Sequence, residues 1–220
     1  MFQPEVKLEF VRRYCSPSDG WQVLVDIDAS EEGRTGGERK TPEARREQQK
    51  MQYAAGTVLA QLKALGVQVG GDRKHWSHEH GLPLVEGDRD ILAFHKEKRL
   101  CLIGEAEGES SGQPEQKLYK AIGQLVMAAS GIEPNGWQQA LVLVVYGERI
   151  SEHLRQAKAL MKLGISAVVL GDVRQLDRWL FPGALRPRLL SGELRVPAAA
   201  QAANEKNNSI ISADKLKKTE

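Results

Sequence analysis

Apolar residues follow two rhythms along this chain, and each rhythm predicts a different kind of element. Val6 to Val11 and Trp21 to Ile27 are short β-rich runs separated by the turn-like Ser16-Pro17-Ser18-Asp19-Gly20, which predicts an N-terminal hairpin. Ser30 to Lys40 is Gly-rich and charged with no apolar spacing, and reads as a mobile loop. At Thr41-Pro42-Glu43 a capping hydroxyl, a proline suited to a first turn and an acid announce a helix. Met51, Ala55, Val58, Leu62 and Leu65 then recur at spacings of four, three, four and three before the stop at Gly66.

Beyond Gly81 the runs shorten. Ile91 to Phe94 and Leu100 to Ile103 flank the charged turn Lys96-Glu97-Lys98, predicting adjacent antiparallel strands that are apolar on both faces. A helix follows from Pro114 to about Ser130, a strand over Ala140 to Tyr146, a helix over Ser151 to Leu163 and a strand over Ala167 to Leu170. Strand, helix, strand is the grammar of parallel crossovers in an α/β sheet. Ala198 to Glu220 is alanine-rich and then polar, and reads as a flexible tail. The division expected is a hairpin and loop over 1–40, a core over 41–180 and an extension over 181–220.

Composition narrows the class. The chain has 220 residues, 41% of them hydrophobic, enough for a core, and 31 basic against 29 acidic residues leave its net charge at +2. Whole-chain charge therefore names no partner. The absence of a long apolar run or a signal-like N-terminus leads to the expectation of a soluble, cytoplasmic protein without a membrane partner. Two cysteines, Cys15 and Cys101, exclude a disulfide scaffold and read as core residues. Dinucleotide and P-loop signatures do not occur. His75, His78 and His80 lie close together but lack the spacing of a known metal motif, so a loop or cleft wall is expected there. Tyr119 is expected to pack with its hydroxyl at the rim.

The chemistry sits around the paired strands. With the turn centred between Glu97 and Lys98, Asp90 stands opposite Glu105 and Asp88 opposite Glu107, so one register gathers four carboxylates on one patch. Like charges facing each other across a sheet require a compensating cation, and Mg²⁺, with Mn²⁺ as a substitute, suits oxygen ligands. The basic residues Arg34, Arg39, Lys40, Arg45 and Arg46, then Arg73, Lys74, Lys96 and Lys98, are candidates for phosphate contacts.

These residues resemble a known family. Asp90-Ile91-Leu92-Ala93, a turn, a second strand ending Glu105-Ala106-Glu107, and a helix carrying Gln116 to Leu125 look like the PD-(D/E)XK nuclease superfamily. The resemblance runs over about residues 41–171. It implies a restriction-endonuclease-like α/β fold, a mixed central sheet flanked by helices in the order helix, three-strand meander, helix, strand, helix, strand. It implies Mg²⁺-dependent hydrolysis of DNA phosphodiester bonds, with Asp90 and Glu105 as metal-binding acids. A restriction-type enzyme also favours a homodimer on symmetric sites.

The chain departs from the pattern where a lysine is usual, because Glu107 stands there. That acid either adds a metal ligand or marks lost activity. Lys117 on the following helix is the preferred replacement, with Lys120 as the alternate. A catalytically inactive DNA-binding module of the same fold, and a protein-interaction domain, remain open as rivals.

Overall fold

The computed structural model describes residues 1–27, 41–85, 87–108, 114–130, 136–172 and 175–180. The expected loop with Arg34, Arg39 and Lys40, and the expected tail over 181–220, lie outside the described residues. No described helix is long and apolar enough to cross a membrane.

The chain begins with a helix, α1 (Gln3–Tyr14), not with the first strand of a hairpin. Val6, Phe10, Val11 and Tyr14 form its buried stripe, at helical spacing. Pro4 and Glu5 occupy its first turn, and Glu5 accepts the Phe2 N–H at 2.7 Å. A short 3₁₀ turn over Pro17–Asp19 leads to β1 (Trp21–Val25), where a strand was expected.

Helix α2 (Pro42–Ala64) starts as the sequence announces, with the Thr41 hydroxyl accepting the Ala44 N–H at 3.2 Å. It buries Ala55, Val58 and Leu62 in its C-terminal half, while nothing in its first two and a half turns is buried. A two-residue strand, β2 (Gln68–Val69), and α3 (Arg73–Glu79) follow. The histidine-rich stretch is therefore helical and not a loop.

Next come β3 (Ile91–His95), β4 (Leu100–Glu107), α4 (Pro114–Ser130) and β5 (Gln138–Val145). The single helix expected over Ser151 to Leu163 is two pieces, α5 (Glu148–Gln156) and α6 (Ala159–Lys162). Strands β6 (Ile165–Val169) and β7 (Arg178–Trp179) complete the described chain.

All seven strands form one mixed sheet in the order β2-β1-β3-β4-β5-β6-β7. β1, β3 and β4 make an antiparallel meander, and β4, β5 and β6 run parallel. The architecture is α/β, and the helix leading the meander is α1, with α2, β2 and α3 set between β1 and β3. The expected order instead placed the leading helix at residue 42.

Alternation along the strands splits the core into two layers. Ile91, Ala93, Leu102, Ala106 and Val142 face α1 and α2. Leu92, Phe94, Cys101, Ile103 and Leu143 face α3, α4 and α5. The β3–β4 register pairs Ile91 with Gly104 and His95 with Leu100, as expected from the charged turn. Both cysteines are buried and free, and burial raises both thiol pKa values.

Candidate active site

Continuing the β3–β4 ladder one step beyond Ile91 and Gly104 sets Asp90 opposite Glu105. On the other side the Asp26 N–H donates to the Asp90 carbonyl at 3.0 Å, which extends the β1 pairing by a residue. Asp26, Asp90 and Glu105 thus lie side by side across three strand ends. Glu107 follows Glu105 on the same face of β4, the face that packs beneath α4.

Burial makes this acid group unusual. Glu105 is 1% exposed and Glu107 6% exposed, and Glu105 Oε1 and Glu107 Oε2 have no hydrogen-bond partner among the described residues. Desolvation raises the Glu105 carboxyl well above the usual carboxylate range. The charge of Asp90 pushes it further, against the pull of Arg89 and Lys7. Desolvation likewise lifts Glu107 to about 7, with Lys117 the strongest opposing charge and Asp90 adding to the rise.

Asp88 does not join the group. It stands in solvent, its carboxylate 3.4 Å from Arg73, because the β3–β4 ladder ends at Ile91 and the chain before Asp90 is no longer extended strand. Arg73 also reaches Asp26 at 3.6 Å and donates to the Gly87 carbonyl. Of the four acids expected to share one patch, Asp90, Glu105 and Glu107 remain along the strand ends.

A lysine that sequence reasoning did not single out completes the arrangement. Lys7, 1% exposed on α1, places Nζ 2.8 Å from Asp90 Oδ1 and donates to the Asp26 carbonyl at 2.6 Å. Asp90 Oδ2 accepts the Ala106 N–H at 2.8 Å and the Gln3 amide at 3.4 Å. Gly108 makes this approach of α1 possible, since a Cβ there would lie 2.6 Å from the Gln3 nitrogen.

From the opposite layer α4 brings Lys117, half-buried, toward Glu107, while Lys120 is exposed and acts on Glu107 more weakly. Arg89, 7% exposed, donates to the Asp88 carbonyl at 2.7 Å. Arg45 and Arg46 lie exposed in the first turns of α2.

The donors suit a hard divalent cation, since two buried carboxylate oxygens lack partners and Asp90 adjoins them. Among the described residues no three His, Cys, Asp or Glu side chains are drawn close enough to hold a metal by themselves. Lys7 already supplies one positive charge at Asp90. The histidines do not contribute: His75 is exposed 3.9 Å from Glu79, and His80 Nδ1 lies 2.9 Å from the Trp76 carbonyl. Tyr119 is exposed and not packed. Comparison with family models, curated proteins and solved structures found no match for this chain.

Proposed function

We propose that the chain is a divalent-metal-dependent deoxyribonuclease of the PD-(D/E)XK type. One observation carries the reading: Asp90, Glu105 and Glu107 lie at neighbouring strand ends, and Glu105 and Glu107 each bury a carboxylate oxygen that has no hydrogen-bond partner among the described residues. Burying an uncompensated carboxylate costs several kcal/mol by order of magnitude, and a chain that buries two beside a third gains that back when a cation binds. The order α1, meander β1-β3-β4, α4, β5, α5 and β6 supports a restriction-endonuclease-like fold, with α1 as the leading helix.

In this reading Asp90, Glu105 and Glu107 hold the metal. Bound Mg²⁺ supplies a water of lowered pKa and neutralises charge developing on the phosphate. The remaining work falls to the protein. Lys117 donates to the scissile phosphate from the layer beneath Glu107. Lys120, Arg45 and Arg46 contact flanking phosphates, and Asp90 is held in place by the Ala106 N–H.

A second reading, a DNA-binding module of this fold without catalysis, is favoured by the Lys7–Asp90 pair, which already compensates one acid. Incubating plasmid DNA with and without Mg²⁺ or Mn²⁺ separates the two. Metal-dependent cleavage that Asp90→Ala, Glu105→Ala and Lys117→Ala each reduce supports the nuclease. Cleavage unchanged in all three overturns it, and salt-sensitive binding without cleavage selects the second reading.

A further inference from the structure

We propose that the outer edge of β1 at Trp21, Gln22 and Val23 is a docking site for an extended, acidic peptide segment of a partner protein, which adds there as one more strand. The site lies at the end of β1 remote from Asp26 and the acids, and it does not depend on the chemistry assigned to them.

Backbone pairing leaves half of this edge open. The Asp26 N–H donates to the Asp90 carbonyl at 3.0 Å, and the Gly70 N–H donates to the Val25 carbonyl at 2.9 Å. Successive residues of a strand turn their polar groups to opposite sides, so Gln22 and Leu24 face β3, whereas Trp21, Val23 and Val25 face outward. β2 runs beside β1 only at Leu24 and Val25, which engages the Val25 groups and the Val23 carbonyl. The Trp21 N–H and carbonyl and the Val23 N–H have no partner among the described residues. Both residues are buried, and buried backbone groups are seldom left unpaired.

A notch of about 340 Å³ lies against this open half. The end of α2 forms one wall with Lys63, Gly66 and Val67, and α3 forms the other with Trp76 and His80. Gln22 lines the notch as well, and its buried Oε1 has no hydrogen-bond partner among the described residues. Two outward donors and an acceptor in strand spacing, a carboxamide beside them and an indole on the wall are what an added strand uses, its backbone for affinity and alternate side chains for specificity. Val67 belongs to one layer of the core and Trp76 to the other, so the walls rise on both sides of the sheet. A single extended segment enters such a slot, whereas the sheet edge of a second folded copy meets the walls first. Charge selects among segments: Lys63 stands exposed on the wall and no Asp or Glu lines the notch, which favours a peptide flanked by acids.

The test follows amide hydrogen exchange of the full-length chain by NMR, with the acetylated and amidated pentapeptide Glu-Val-Thr-Val-Glu as probe, up to millimolar concentration. In the free chain the Trp21 and Val23 amides are expected to exchange at least about tenfold faster than those of Gln22 and Leu24, which bond β3. The peptide is expected to slow both. Its counterpart N-methylated at the three central amides, and the basic Lys-Val-Thr-Val-Lys, are each expected to bind at least about fivefold more weakly. Lys63→Glu is expected to reverse the order of the acidic and basic peptides. Val23→Pro removes an outward donor and spares the β3 pairing, so it is expected to weaken the acidic peptide about fivefold.

Trp21 and Val23 amides already protected in the dilute free chain overturn the proposal, because the chain then covers its own edge. Protection that grows with protein concentration gives the edge to a second copy and overturns it too. So do a pentapeptide that leaves both amides unchanged, N-methylation without effect, and an oligothymidylate that slows them where the peptide does not. Should Val23→Pro fail to fold by circular dichroism, Lys63→Glu and the wild-type exchange decide.

Discussion

Asp90 accepts the backbone N–H of Ala106 at 2.8 Å from a position one residue before β3 begins. The side chain thereby continues the β3–β4 pairing where the ladder ends, and its other oxygen binds Lys7. Asp90→Asn keeps the shape but leaves Lys7 buried beside a neutral group. Breaking a buried pair from one side costs about 3 kcal/mol, so urea denaturation should show that loss for Asp90→Asn. The double variant Lys7→Met with Asp90→Asn should recover most of it. A double variant no more stable than Asp90→Asn would show that the pair is not what holds these strand ends.

The pH dependence of stability follows from Glu107 and Glu105. Folding raises the Glu107 pKa from 4.5 to about 7, so between those values the folded chain holds a proton that the unfolded chain has released. This stabilisation is complete below pH 4.5 and fades as pH rises through 7, and Glu105, raised further, continues the decline on the alkaline side. The Tm of the metal-free protein should therefore fall by roughly 5 °C between pH 5 and pH 8. Glu107→Gln should flatten the portion near neutrality. Mg²⁺ should flatten it too, since it binds the ionised form and competes with the proton. A Tm that rises over this range would contradict the burial of these two carboxylates.

What the sequence made legible, and what it hid, trace to the same segments. The β3–β4 register could be read because a compact charged turn joins two runs apolar on both faces, which fixed Asp90 against Glu105. Helix α2 could be read because Thr41, Pro42 and Glu43 form a complete start signal. Helix α1 also carries a proline and an acid in its first turn, Pro4 and Glu5, each one position further in, but Phe2 stands where a capping side chain would be, so half the signal is missing. In addition, Val6-Lys7-Leu8-Glu9-Phe10 alternates apolar with charged residues, the rhythm of a half-exposed strand.

That alternation concealed Lys7 as well. In a strand Lys7 would point to water, whereas in the helix it joins Val6, Phe10, Val11 and Tyr14 on the buried side. A misread element thus removed the one ammonium that touches the site. Asp88 failed for a different reason: pairing was extended to Asp88, although the β3–β4 ladder ends at Ile91. Nothing in the local spacing marks that point.

Asp177 joins the far end of α1 to the last strand. It accepts from Arg13 at 2.5 Å, from the Tyr14 hydroxyl at 2.7 Å and from the Gly171 N–H at 2.8 Å, and is buried with Tyr14. Burial and the Asp177 charge both raise the Tyr14 phenol pKa, so the hydroxyl stays a donor throughout the stable range. Asp177→Ala leaves two buried donors unsatisfied and should cost about 3 kcal/mol, while Tyr14→Phe removes one bond and should cost about 1 kcal/mol. Urea midpoints with an unchanged slope measure both. Equal losses for the two variants would mean that Asp177 serves the Tyr14 hydroxyl alone.

Salt dependence tests where nucleic acid lies on this surface. The C-terminal end of α2 lies near the start of β1, since Gly66 adjoins Pro17, so its exposed first turns point toward the strand ends that carry the acids. Arg45 and Arg46 ride on those turns, and Lys120 stands exposed on α4 in the opposite layer. Each phosphate contact releases counterions, so each alanine replacement should weaken DNA binding across sequences and lower the slope of log K against log salt by about 1. The binding should be measured in Ca²⁺, to limit cleavage during titration. If the backbone passes between the two layers over the carboxylates, Arg45→Ala and Lys120→Ala should each reduce the slope, and their double variant should reduce it by the sum. A slope that responds to Lys120 but to neither arginine would place the duplex on α4 alone, with the projecting end of α2 outside the contact.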